Sequence, residues 1–307
     1  MKIQSLSVCV PAKHCINDCK FCCVKMCESQ YKDQVTENLR FYDLYENDFI
    51  KRMEFARDNG CNTCMLTGDV EPQQNIPFLK AFGDMNRRLE RPFRNIEMQT
   101  TGAFIDDEKL RFFRNHVGIT TISVSVSCLN DDAKNIEIIG MKDSNFNLKK
   151  LCSEIKRYDF NLRLSLNVTK NLVLEKGEPG EEVGICVADV FYFCKELGAD
   201  QVTFRGMYTS GNNTEQDKWI KENVTEWEDP HSIGGFFSIL EHSIKAEGRY
   251  LDTLEYGSDR YSYEGMSVVL DTDCMSKGIN KDAVKYLILR PNCKLYSKWD
   301  DKGSLIF

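Results

Sequence analysis

No stretch of the chain approaches the roughly 18 consecutive apolar residues that a membrane-spanning helix needs. Residues 1–11, MKIQSLSVCVP, lack the apolar h-region and small-residue cleavage site of a secretion signal. Positive charge is not in excess: 40 Lys and Arg face 47 Asp and Glu, a net charge of −7. Such a chain is repelled by a phosphate backbone, so bulk nucleic acid is not an expected partner. Histidine is scarce, at four residues, and none stands at ligand spacing from another. His116 falls at an expected helix C-terminus, where a cation suits the dipole, and His14 only borders a cysteine-bearing loop. There is no phosphate-binding loop, nucleophile elbow, zinc-protease helix, fixed-period repeat or low-complexity tract.

Against these absences stand 14 cysteines in 307 residues. A secreted disulfide scaffold would be shorter and denser in cysteine. The chain is therefore expected to be cytoplasmic, with its thiols mostly reduced: some ligands, some catalytic, the rest small buried hydrophobes.

The first two-thirds alternate between strand-like and helical patterns. Residues 6–10 read as a first strand, and 47–59 as a helix with Phe49, Ile50, Met53 and Ala56 at helical spacing. Strand 63–66, helix 76–89 and strand 96–100 follow, then a helix capped by Asp106 and closed by Gly118. Next come strand 121–127, helix 148–158, strand 162–168, an acidic glycine-bearing loop over 171–184, helix 187–197 and strand 201–205. Six such units predict an α/β fold, a partial (β/α)6 TIM-like barrel, with a doubly wound open sheet as the alternative. After residue 210 the rhythm breaks into a turn at 210–213, a helix over 232–246, a tyrosine-rich acidic segment at 251–265, and a hairpin of 286–290 with 295–299. Residues 1–210 are read as the barrel core and 211–307 as a C-terminal α+β extension packed on it.

The sharpest local feature is Cys15-x3-Cys19-x2-Cys22, directly after the first strand. Three thiolates this close on a loop can converge on one metal centre, and thiolates favour zinc or iron–sulfur clusters. Structural zinc with Cys23 or Cys27 as fourth ligand stays open on spacing alone.

With Asn17 two places after the first cysteine and Phe21 before the third, the loop resembles the cluster loop of the radical S-adenosylmethionine (radical SAM) superfamily. The resemblance implies that Cys15, Cys19 and Cys22 each hold one iron of a [4Fe–4S] cluster, and that S-adenosylmethionine chelates the fourth. The second strand runs into Leu66-Thr67-Gly68-Asp69-Val70-Glu71-Pro72, similar to the family's Gly-Gly-Glu-Pro segment, with Val70 where the family has glycine. Gly68 and Glu71 would then hold the methionine end of the cosubstrate. Thr100 ends strand three, Ser125 and Ser127 share a face of strand four, Asn167 ends strand five and Arg205 ends strand six. C-terminal strand ends form the catalytic face of barrels, and the resemblance implies that these polar groups bind the rest of the cosubstrate. It covers residues 5–210.

The implied activity is reductive cleavage of S-adenosylmethionine to a 5′-deoxyadenosyl radical that abstracts hydrogen from a substrate, fed by an electron donor such as flavodoxin or ferredoxin. With no cysteine-rich auxiliary-cluster segment after the barrel and no peptide-recognition segment before it, a small-molecule or nucleoside substrate is expected, with a peptide as runner-up. The competing class is a non-catalytic zinc or iron–sulfur protein using the barrel as an interaction surface. Of the other thiols, Cys152 and Cys194 fit buried helix faces, and Cys61-x2-Cys64 lacks a second pair. Cys23 and Cys27 default to packing, as do Cys274 and Cys293 unless one of these last two faces the substrate as a hydrogen-atom donor.

Overall fold

The computed structural model describes residues 2–27, 39–174, 185–278 and 280–307. Six parallel strands lie side by side in chain order: β1 (Lys2–Cys9), β2 (Thr63–Thr67), β3 (Asn95–Thr100), β4 (Thr121–Val126), β5 (Asn161–Asn167) and β6 (Gln201–Arg205). This unbroken order is that of a barrel; a doubly wound sheet would reverse direction at its middle. In β4, Ile122, Val124 and Val126 join the core under the helices while Ser123 and Ser125 face the barrel interior. In β5, Leu162, Leu164 and Leu166 do the same, with Arg163, Ser165 and Asn167 turned inward. The period-2 alternation therefore separates an apolar outer layer from a polar lumen.

The helices are α1 (Cys23–Met26), α2 (Phe41–Leu44), α3 (Glu46–Asp58), α4 (Ile76–Arg88), α5 (Asp107–Phe112), α6 (Asp132–Ile139), α7 (Leu148–Arg157), α8 (Val187–Glu196), α9 (Glu215–Asn223) and α10 (Phe236–Glu247). Phe49 and Met53 of α3, Phe78 and Phe82 of α4, Ile155 of α7 and Val190 of α8 are buried in one continuous core. Among the described residues no helix is long and apolar enough to cross a membrane.

Residues beyond 210 extend the sheet on both sides. β9 (Met266–Asp271) pairs parallel with β6, and β10 (Ala283–Leu289) pairs parallel with β1. Antiparallel strands finish the edges: β8 (Asp259–Tyr263) and β7 (Arg249–Thr253) beyond β9, and β11 (Leu295–Tyr296) beyond β10. The sheet is not closed, as expected of a partial barrel. Side chains span what backbone pairing leaves open: Lys285 Nζ on β10 donates to Asp271 Oδ1 on β9 at 2.6 Å. The β7–β8 turn reaches β1 through Tyr256 N to Gln4 Oε1, at 3.0 Å.

Several boundaries differ from the sequence reading for physical reasons. β1 begins at Lys2, not at residue 6, because β10 pairs with it from Lys2 onward, a partner nearly the whole chain away. The helix closed by Gly118 is α5 followed by a π-turn over Phe113–Val117. Helix α6 was not expected, although Asp131 caps it and Gly140 ends it in the left-handed region. Most of the expected loop at 171–184 lies outside the described residues.

Candidate functional site

A cleft of about 1470 Å³ opens at the C-terminal ends of the strands, and the loop leaving β1 forms one wall of it. That loop is fastened at several points. Asp18 N donates to Ile139 O (3.1 Å) and Lys20 N to Ile138 O (2.9 Å), so it satisfies carbonyls that the last turn of α6 leaves open. Gly140, at φ 59°, is required there: a Cβ would lie 2.6 Å from the Asp18 carbonyl oxygen. On the other side, one amide clamps both flanks of Cys15. Gln74 Oε1 accepts from Ile16 N and Gln74 Nε2 donates to His14 O, each at 2.9 Å. Next to it, Asn75 caps α4 by accepting from Phe78 N at 3.0 Å and donates from Nδ2 to Pro11 O at 2.7 Å.

Glu71 is buried, and its carboxylate is committed to protein donors. It accepts from Thr101 N and Thr101 Oγ1 at 3.0 Å each, from Asn17 Nδ2 at 3.4 Å, and closely from Thr100 Oγ1. Burial pushes its pKa up, and the hydrogen bonds from Thr100 and Thr101 offset that only in part. Glu71 thus ties the cysteine loop to the end of β3. Asn17 Nδ2 also donates to Thr101 Oγ1 at 2.8 Å, while Asn17 Oδ1 is buried with no hydrogen-bond partner. Gly68, at φ 134°, lets the β2 loop pass close to β1; a Cβ would sit 3.0 Å from Cys9 Cα.

Across the cleft, Asn167 Nδ2 donates to Ser125 Oγ and Ser127 Oγ, both at 3.1 Å. Of the candidate residues, Cys15, Cys19, Cys22, Gly68, Glu71, Thr100, Ser125, Asn167 and Arg205 all line this one cleft. Ser127 does not: it is buried behind Asn167, which it helps to hold. The sequence reading missed Gln74, Asn75 and Gly140. The amide run Gln73-Gln74-Asn75 after Glu71-Pro72 was the available signal for the first two.

Burial raises the pKa of Cys15 and Cys22 and takes Cys19 well up, with the neighbouring Cys22 and Cys15 adding to the last. Thiols that repel one another as thiolates call for a cation among them. Among the described residues no three His, Cys, Asp or Glu side chains close around a single metal ion. In an iron–sulfur cluster each thiolate takes its own iron, so a spread set of three thiols on one loop fits such a centre. The unpartnered Asn17 Oδ1 and the bare backbone at Gly68 fit a bound ligand beside it.

The other thiols divide. Cys61, Cys64, Cys152, Cys194 and Cys293 are buried in the core, whereas Cys23, Cys27 and Cys274 line the cleft. Cys27 Sγ lies 4.0 Å from the Tyr208 hydroxyl. Phe21 packs on Trp219 of α9 with ring centroids 6.1 Å apart, so the C-terminal part of the chain covers the cysteine loop.

Among solved structures, Streptococcus suis SuiB bound to S-adenosylmethionine is 12% identical, with a TM-score of 0.48, covering 96% of this chain and 58% of its own. Coproporphyrinogen III oxidase (HemN) from Escherichia coli, described as a radical SAM enzyme, is 15% identical, with a TM-score of 0.51, covering 80% of this chain and 52% of its own. The chain thus spans little more than half the length of either, and at such identities the second likeness bears on the fold alone. No curated protein matches the sequence. The profile of the Radical SAM superfamily matches residues 9–187, more than half of the chain and the whole run from the end of β1 to the start of α8. The chain belongs to the radical SAM superfamily, whose members hold a [4Fe–4S] cluster and S-adenosylmethionine.

Proposed function

We propose that this chain is an oxygen-sensitive radical SAM enzyme that abstracts hydrogen from a small-molecule or nucleoside substrate. The observation that carries the reading is the shared cleft: the Cys15, Cys19 and Cys22 thiols and the polar ends of β2 to β6 face one space. When bound, the cluster and cosubstrate would supply one-electron reduction of the sulfonium and the 5′-deoxyadenosyl radical that follows. The protein's own residues do the rest. Cys15, Cys19 and Cys22 would hold the irons, on a loop fixed by Gln74 and α6. Gly68 and the Asn17–Glu71–Thr100 network would seat the methionine end, and Ser125 and Asn167, with Ser127 behind them, the nucleoside end. A polar interior behind the cosubstrate supports a compact polar substrate over an extended peptide. A low-potential one-electron donor such as flavodoxin or ferredoxin completes the system.

Anaerobic reconstitution with iron and sulfide, then reduction, should give 5′-deoxyadenosine from S-adenosylmethionine. A Cys15→Ala, Cys19→Ala, Cys22→Ala triple variant should give none; full cleavage by that variant would sink the proposal. One zinc per chain, with no cluster chromophore and no cosubstrate binding, would instead support the non-catalytic metal-binding class.

A further inference from the structure

The cleft continues into the lumen. One adjoining space, of about 140 Å³, is bordered by Ser7, Cys274, Tyr286 and Arg205 among others. Another, of about 410 Å³, lies between Glu97, Arg163, Asp271 and Lys285, and Arg205 borders it too. The other charged side chains around these two spaces are paired. Asp69 meets Arg290 at 2.9 Å, Asp271 meets Lys285 at 2.6 Å and Glu255 meets Lys2 at 3.0 Å. Glu97 pairs closely with Arg163, Asp252 with Arg260 and Asp300 with Lys277.

Arg205 is the exception. It makes no ion pair with the described residues, and its Nε is buried with no hydrogen-bond partner. Ser7 Oγ, bordering the same 140 Å³ space, is also buried and unpartnered. Cys274 adds no counter-charge, because burial outweighs the nearby Arg205 and pushes its thiol up to about 11. Tyr286 stays a neutral donor, since burial holds its phenol well above the ordinary range. Despite burial, Asp271 and Glu97 act on Arg205 from beyond ion-pair distance and keep its guanidinium charged. The cation is thus available to a ligand, and a cavity and two further donors stand beside it.

We propose that Arg205, with Ser7 and Tyr286, forms a binding site in the barrel interior for an anionic group of the substrate, a carboxylate or a phosphate. The proposal rests on the radical SAM reading and moves Arg205 from the cosubstrate to the substrate. Glu71, Thr100, Ser125 and Asn167 border only the main cleft, whereas Gly68 and Arg205 border both cleft and recess, so the anion site adjoins the cosubstrate side. A monoanion there would pair with Arg205 and fill the unmet bonding of Ser7.

The test is anaerobic calorimetry on the protein loaded with cluster and S-adenosylmethionine, titrated with succinate and, separately, with inorganic phosphate. The probe that binds identifies the anion class. In Arg205→Gln its affinity should fall at least about tenfold, with cosubstrate affinity unchanged within about twofold. Arg205→Lys keeps the charge without the planar fork and should weaken binding at least about threefold, which keeps the test open if the glutamine variant misfolds. Binding of neither probe by the wild type, or equal binding in the variants, would overturn the proposal. So would a tenfold loss of cosubstrate affinity in Arg205→Gln, which would place the cosubstrate's own carboxylate on Arg205. Failure of the parent reading is distinct: the wild type would then yield no 5′-deoxyadenosine whatever the probes do.

Discussion

A single side chain, Gln74, fixes the backbone on both sides of Cys15, one of the three thiols proposed to hold iron. Neither partner can be replaced by water without loosening the loop, since the amide oxygen and nitrogen are used together. Gln74→Ala should cost about 1–2 kcal/mol of stability, leave the fold intact and lower the iron retained per chain after reconstitution and desalting. Iron and sulfide content at wild-type level, with an unchanged circular dichroism spectrum, would show that the clamp does not matter. At this scale the sequence was legible where the chemistry is local. The three cysteines and Asn17 are close neighbours in sequence, as are Gly68 and Glu71, and all of them line the cleft, whereas Ser127, read from strand alternation, is buried behind Asn167. Glu71 was read as aimed at the ligand; its bonds to Thr100, Thr101 and Asn17 exist only once β2, β3 and the loop are side by side.

At the scale of elements, α9 closes over the cysteine loop and depends on its first turn. Asp217 is buried and forms a capping box with Thr214, also accepting from Ser210 N at 2.7 Å. Desolvation acts to raise its pKa, but the hydrogen bonds from Ser210 and Thr214 prevail and hold it at about 2. A carboxyl depressed on folding contributes stability above its unfolded pKa, and loses it as pH falls through that value toward the folded one. Asp217→Asn should therefore cost about 1–2 kcal/mol at about pH 7, with the difference from wild type shrinking below about pH 4. Paired urea titrations at the two pH values check this. A pH-independent difference would mean that the charge is not what matters. The alternating strands and amphipathic helices were readable because burial on one face leaves a period. Helix α6 was passed over despite its cap and stop, because its eight residues are too few to display a helical period. β9 and β10 were placed in the extension without a hint that they flank β6 and β1, since parallel pairing between distant segments leaves no local mark.

For the whole molecule, the polar lumen and the incomplete sheet belong together. A barrel packed with apolar side chains can rely on its interior for cohesion; this one, with Glu97, Arg163, Asp271 and Lys285 around its interior, cannot. The Lys285–Asp271 pair is buried on both sides, so Lys285→Met should destabilise by about 3–5 kcal/mol by stripping the buried carboxylate of its ion-pair partner. The double variant Lys285→Met, Asp271→Leu should recover most of that, as read by urea unfolding; equal losses in single and double variants would contradict it. The same pair has a mechanical meaning. A ring of strands bonded all round resists widening at every backbone link, whereas here part of the ring is fastened by a few contacts such as Lys285–Asp271 and Tyr256–Gln4. Asp271 is the register neighbour of Arg205 across β6 and β9, so the Lys285–Asp271 clasp adjoins the cation of the proposed anion site. An anion arriving at Arg205 would therefore meet the seam that side chains, not a backbone ladder, hold together.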